Sequence, residues 1–446
     1  MKVLRGLPFL VLASLFTFGS ASGEMLTLEQ AVRIALSDNP GLKSYRWTVE
    51  AEKENLNAAK GNLYPKFTIE ERYQRTDNPT YGFMAKLNQE RFTQADFAID
   101  SLNNPDDISD FQTSIGFEQP LFVPGLYKGI GIAKNELGAQ ESMFLMKKEE
   151  VILRVIQSFH KVQTAGEYAA AAREGIDDAR EHRRLASLRY DAGTGLYSDV
   201  LRAEAAHKKA EALLVKAQGD REVARRSLGL LLGRTEPVDA ADSTPHLTLH
   251  AVETYLGAAL QREDLKALRL RYESSQEAVA LEKSAFLPEI GLGGSYLMND
   301  HNDPFSPEGE SYLLMGFLKW NFFDASAYHK IKKAKAKVHE SSENVVALEQ
   351  EIQFRVHEAY TRVKEKEQTL ALARAILEEA GEALRLVRAR YENALAPMID
   401  LLDTQVMLNT ARAQLVEAEN EYGNAMAVLY YQSGMLSETF IQNQEF

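Results

Sequence analysis

The sequence of 446 residues holds no cysteine, two tryptophans and 13 prolines. Without cysteine there are no disulfide staples and no thiolate metal sites, so the fold must rest on packing. Long apolar runs are also missing. After Phe18 no stretch approaches the roughly 20 apolar residues that a membrane-crossing helix needs, which excludes a helical inner-membrane protein. Positive charge is short as well: 51 Lys and Arg against 64 Asp and Glu give a net charge of −13. Removing Lys2 and Arg5 with the leader described next takes −13 to −15. Such a surface repels the phosphates of nucleic acid, which is therefore no expected partner.

What is present starts with a positive end at Lys2 and Arg5, a short apolar run from Leu7 to Phe18, and the small residues Gly19, Ser20, Ala21, Ser22 and Gly23. This is the pattern of a secretory signal peptide, expected over residues 1–23 with cleavage after Ala21 or Gly23. The lack of cysteine means that this signal is not of the lipid-anchored kind.

The rest of the chain is one unit written twice. Leu42 to Ile69 aligns without gaps on Leu265 to Leu292, with Arg46 on Arg269 and Tyr64-Pro65 on Leu287-Pro288. Further on, Arg189-Tyr190-Asp191 through Asp199-Val200-Leu201 aligns on Arg390-Tyr391-Glu392 through Asp400-Leu401-Leu402. A repeat of this kind outranks every other sequence signal in deciding the architecture. The expected layout is a first repeat over 24–232, a linker over 233–247, a second repeat over 248–434 and a tail over 435–446. Each half reads helix, strand, loop, strand, long helix, turn, long helix.

Period-2 patterning places strands at about 66–75, 110–122, 288–298 and 311–323. Phe67, Ile69 and Tyr73 alternate with Lys66, Thr68, Glu70 and Arg72, while Leu313, Met315 and Phe317 blur the alternation in the fourth. About ten residues is the length that a tilted transmembrane strand needs. The helices carry a different rhythm. From Ile331 through Val338, Ile352, Val363, Leu377 and Leu384 to Tyr391, apolar or small residues recur at alternating spacings of 3 and 4. That is a coiled-coil seam with one stutter at Ile352 to Val356, on a helix longer than about 90 Å. The return helix carries the same rhythm from Leu401 to Leu429, and both seams recur in the first half. The two helix-to-helix tips fall near 193–197 and 394–398.

Four amphipathic strands cannot close a barrel, and an open sheet edge cannot sit in lipid, because its backbone groups would be left unpaired. Closure must come from other copies. Eight strands fill their interior with side chains, whereas three copies of four strands, 12 in all, leave a lumen.

In this order and duplication the chain resembles the outer membrane efflux protein family typified by TolC. The residues that carry the resemblance are Leu26, Leu28 and Ala31, the helix-to-strand turns Tyr64-Pro65 and Leu287-Pro288, and the tips Arg189 to Thr194 and Arg390-Tyr391. It extends over nearly the whole chain after the leader. It implies a mainly α protein with a membrane β-barrel: a homotrimer whose 12-stranded outer-membrane barrel continues into a long α-helical coiled-coil barrel in the periplasm. It also implies the partners: outer-membrane lipid, a periplasmic adaptor of the membrane fusion kind, and an inner-membrane pump served by a passive exit duct.

The same resemblance directs attention to the tips. Asp400 and Asp403, three residues apart on one helical face, match aspartates that ring the closed entrance in the family; as carboxylates at a helix start they also complement the helix dipole. Asp199 and Tyr391 match residues that lock the closed tip. The family's locking arginine is missing, since Ala396 and Gly195 stand at its two positions. The tip turns Gly193, Thr194, Gly195 and Ala394, Leu395, Ala396 are the expected adaptor-docking segments.

Chemical signatures are otherwise scarce. Gly193 and Gly195 around Thr194 lack the Gly-Lys-Ser of a phosphate loop and suit a tight interhelical turn. Gly291, Gly293 and Gly294 lack the helix of a dinucleotide fingerprint and suit barrel strands. The nine histidines are scattered, His207 on a seam and His339 and His357 without a second ligand on their face, so no metal, cofactor or catalytic site is expected. No Gly-x-Ser-x-Gly elbow or His-Glu-x-x-His occurs, which sets an enzyme aside. The competing architecture is a periplasmic coiled-coil scaffold with incidental hairpins, and the length and apolar faces of the strands weigh against it.

Overall fold

A computed structural model describes residues 24–241, 247–393 and 395–441. The expected signal peptide, residues 242–246 of the linker, tip residue Ala394 and residues 442–446 lie outside the described residues. The chain divides into two units. One gathers the described residues of Met1–Ser37, Arg154–Leu247 and Glu365–Asn424, the other those of Asp38–Leu153, Thr248–Lys364 and Ala425–Phe446. No helix among the described residues is long and apolar enough to cross a membrane.

The second unit holds a four-stranded antiparallel sheet. Its strands β2 (Lys66–Thr76), β3 (Ile108–Phe122), β5 (Glu289–Asp300) and β6 (Gly309–Lys319) lie in the order β2-β3-β5-β6. The register sorts side chains by face. Ile69, Ile115, Tyr296 and Tyr312 form one cross-strand row, and Phe67, Phe117, Gly294 and Leu314 the next on the same face. The opposite face carries Glu70, Ser114, Leu297 and Ser311, then Arg72, Gln112, Asn299 and Gly309. Glycine makes room for aromatic rings: a Cβ on Gly294 would lie 2.6 Å from the Phe117 ring, and one on Gly291 2.4 Å from that of Phe317. Leu313, Met315 and Phe317 of β6 depart from the two-sided pattern and stand exposed on the face opposite Tyr312 and Leu314. The fourth strand stops at Lys319, short of the expected 323. Trp320 there turns its indole N–H to the Phe286 carbonyl at 2.9 Å.

The segment between β2 and β3, expected as a plain loop, is folded. Helix α3 (Pro79–Asn88), a 3₁₀ turn (Gln94–Phe97) and helix α4 (Ile99–Asn103) occupy it. Asn78 caps α3 by accepting from the Thr80 and Tyr81 amides, with Pro79 in the first turn. The rings of Phe83, Phe92 and Phe97 meet edge to face at 4.9 and 5.1 Å. Gln89 plugs the fold into the sheet end, donating to the Ser109 carbonyl at 2.9 Å and to Asp110 at 2.8 Å, where Asn299 also donates at 3.0 Å. Elements this short carry too little periodicity to be seen in sequence.

The long helices run through both units. Helices α5 (Pro124–Asp191) and α9 (Ala325–Glu392) are each 68 residues long, about 100 Å at 1.5 Å per residue. Each is followed by a return helix, α6 (Tyr197–Leu231) or α10 (Met398–Ser433). On α9 the seam residues Ile352, Val356, Val363, Ala373, Ala380, Leu384 and Tyr391 are buried, whereas Ile331, Val338 and Val345 are half-buried. Part of the linker is also ordered: β1 (Met25–Leu26) runs parallel to β4 (Asp239–Ala240), and Arg225 and Arg221 hold Asp239 at 3.2 Å. No repeat or periodicity marks a two-residue bridge.

Candidate functional site

The two helix-to-helix turns lie in the first unit and share one core. Ala186 and Ala203 of the first hairpin are buried together with Ala380, Leu384, Tyr391, Met398, Leu401 and Leu408 of the second. The many alanines let the helix backbones approach closely. A cavity of about 410 Å³ opens beside this core, with Arg189, Thr194, Asp199, Tyr391, Ala396 and Met398 in its lining.

Local chemistry fixes each turn. Helix α5 ends in a left-handed glycine, Gly193 at φ +73°, which only glycine adopts without strain. The Thr194 amide and hydroxyl then return to the Arg189 carbonyl at 2.9 and 3.2 Å, satisfying a carbonyl of the last helical turn. Gly195 passes so close to the helix end that a Cβ would sit 2.9 Å from the Arg189 Cβ. In the second turn the Leu395 amide bonds the Arg390 carbonyl at 2.8 Å, and Pro397 stands directly before α10, which starts at Met398.

Several sequence-derived positions converge here. Tyr391 is 3% exposed and shares the cavity with Asp199, whose carboxylate lies 3.9 Å from Arg202. Burial pushes the Tyr391 phenol up, with Arg189 pulling the other way. Ala396 packs on the shared core, and Leu395 is 68% exposed. Asp400 and Asp403 stand exposed in the first turns of α10 and take no part in the cavity lining. Ala394 lies outside the described residues.

Sequence reasoning missed Arg189. Its guanidinium carbon stands 3.9 Å from the centre of the Tyr391 ring, and its Nη2 donates to the Tyr391 carbonyl. Arg189 and Arg390 match in the repeat, and that match is a signal for register that hides the different use of each copy. The hairpins also bury polar groups. His182 is 2% exposed beside Gln405, which donates to Asp178 at 2.8 Å, and burial pulls the His182 imidazole down against the pull of Asp178. His160 meets Asn424 at 2.8 Å and is likewise held down by burial. His207 is buried at its seam position, 3.4 Å from Glu211.

One trio among the described residues groups metal-type ligands, with Asp300, His301 and Glu308 holding ligand atoms within 4.8 Å of one another in the β5–β6 turn. These atoms already serve the turn. His301 bonds Glu308 at 2.6 Å, Asp300 accepts from the Asn302 and Asp303 amides, and Arg91 stands 3.7 Å from Glu308.

Comparison with known proteins agrees with this architecture. A family model described as outer membrane efflux protein matches residues 31–234 and 256–434. The alkaline protease secretion protein AprF of Pseudomonas aeruginosa is 22% identical over 370 residues, covering 78% of this chain and 74% of AprF. The outer membrane efflux protein BepC of Brucella suis biovar 1 is 21% identical over 445 residues, covering 98% of this chain and 91% of BepC. The crystal structure of CusC shares the fold at a TM-score of 0.77 and 16% identity, over 94% of this chain and 95% of CusC. The chain thus belongs to the outer membrane efflux protein family, a family of channel proteins, and resides in the outer membrane with its helical part in the periplasm.

Proposed function

We propose that this protein is the passive exit duct of a tripartite efflux or type I secretion assembly, working with an inner-membrane pump through a periplasmic adaptor. The observation that carries the reading is the sheet: apolar rows on one face, a second face that is polar in β2 and β3, and edges β2 and β6 without partners among the described strands. Such edges cannot remain open in lipid, and three copies close them into a 12-stranded barrel with a lumen. The two repeats then give each copy two helical hairpins, and the helices of three copies form the periplasmic barrel.

Its narrow end is formed by the tips. Six carboxylates, Asp400 and Asp403 of each copy, ring the entrance and draw cations to it. The adaptor docks on Gly193, Thr194, Gly195, Ala394, Leu395 and Ala396. The exposed apolar side chains Leu196, Tyr197, Leu395 and Ile399 beside them supply the anchor surface that a protein partner buries. Crosslinking of detergent-extracted protein should stop at three subunits and planar bilayers should show its channels, whereas a stable monomer with channel activity overturns the trimer. Replacing both ring aspartates by alanine should weaken cation selectivity and multivalent-cation block. Unchanged selectivity would reduce them to helix-start residues.

A further inference from the structure

We propose that Arg189 is the clasp of the tip, holding the second hairpin to the first through the ring face and carbonyl of Tyr391 in place of a salt bridge. The proposal rests on reading the tips as the channel's closing end. Three observations carry it. The guanidinium lies 3.9 Å from the ring centre, well inside the roughly 6 Å reach of a cation–π contact, and the ring is buried, which shields the contact from water and salt. The same guanidinium donates to the Tyr391 carbonyl one residue before α9 ends at Glu392. That carbonyl belongs to the last helical turn, whose carbonyls have no partners within their own helix, and a cation suits the negative end of the helix dipole.

The third observation is that Arg189 serves both turns at once. Its carbonyl receives the Thr194 amide and hydroxyl of the first turn, while its side chain holds the end of α9. The two positions at which the family resemblance led to an arginine now have a physical reading. Gly195 has no side chain because Arg189 occupies the space beside it, and Ala396 packs on the shared core instead of carrying charge. Asp199 lines the same cavity but lies 3.9 Å from Arg202 of its own helix. The aromatic ring, and not a carboxylate, is therefore what the clasp grips.

The test compares variants in planar bilayers and by hydrogen exchange of tip peptides. Arg189→Ala should shift the open-to-closed ratio by roughly threefold to thirtyfold, the range a cation–π contact supports. Tyr391→Leu, which removes the ring but keeps the carbonyl, should give a smaller shift in the same direction, and the double variant should add little to Arg189→Ala, because the ring contact is already lost in it. Tyr391→Phe keeps ring and carbonyl and should open the tip less than Tyr391→Leu, and Asp199→Asn should open it less than Arg189→Ala. Arg189→Lys should rescue only in part, because an ammonium lacks the planar fork.

Opening by Asp199→Asn with none by Arg189→Ala would overturn the clasp and restore a carboxylate latch. If the unaltered protein forms no channels, the exit-duct reading fails. The clasp is then decided by exchange alone: Arg189→Ala must speed exchange at the Thr194 and Leu395 amides, and by more than Tyr391→Phe does. Equal exchange in all variants overturns the clasp on its own. Heat resistance of the extracted assembly, measured beside each variant, separates release of the tip from general unfolding.

Discussion

The sheet and the hairpin tips solve opposite packing problems with similar side chains. In the sheet the large apolar residues face outward: Phe67 is 73% exposed, Ile69 72% and Tyr312 82%. In the hairpins Phe159, Val363 and Leu401 are almost wholly covered by the chain itself. A sheet with bare aromatics and bare edges makes sense where lipid and other copies supply the cover. A coiled-coil seam supplies its own. Apolar content alone therefore does not tell a core from an interface; the period, 2 or 3.5, together with what lies opposite, does.

The contrast breaks most sharply in the helical core. Phe159→Ala should cost about 3–5 kcal/mol, the usual cost of emptying a filled aromatic site. Phe67→Ala should leave the unfolding midpoint in detergent nearly unchanged, and equal losses at the two sites would erase the distinction drawn between them. Next comes charge on the lipid-side rows. Ile69→Arg should cost about 2–4 kcal/mol at mid-bilayer depth and deplete the protein from outer-membrane fractions, whereas Ser114→Arg on the polar face should assemble. Assembly of both variants to the same level would mean that the sheet faces are not sorted by solvent.

A smaller effect separates the units by pH. Burial lowers the pKa of His160 and His182 in the folded protein, so the unfolded chain binds more protons once the pH falls below its value near 6.5. Their share of stability is complete above that pH and is lost progressively below it. A His160→Gln, His182→Gln variant should melt with a weaker dependence on pH between 7.5 and 5.5 than the unaltered protein, and parallel curves would deny the histidines this role. The smallest effect is expected at exposed pairs. Arg180→Ala, which removes a 2.8 Å contact to Asp177 on the helix surface, should shift stability by less than about 0.5 kcal/mol in the same melts.

Legibility in the sequence followed the range of the signal. The seam from Ile331 to Tyr391 spans enough turns for its spacing to stand out, and Phe67, Ile69 and Tyr73 give a face to their strand. Each such pattern is local and repeated many times. The α3–α4 insertion rests instead on single events such as the Gln89 amide at Asp110 and three phenylalanine rings in contact. The tip shows the same limit. Gly193 could be picked out because its turn chemistry is local, and Tyr391 because the family resemblance singled it out. The contact of Arg189 with Tyr391 joins residues far apart in sequence that no period relates.

The two sheet edges that have no partner among the described strands also set a growth rule. In the proposed ring, β2 of one copy meets β6 of the next, so the contact is head to tail, and the same contact that closes a ring will extend a filament if the turn per copy is wrong. Curvature is therefore what decides closure in the proposed ring. It is set in part by the register shift between Pro120 and Phe122 and by the glycines that admit the rings of Phe117 and Phe317. In that ring each copy would carry in its backbone the angle that decides between a channel and a fibre.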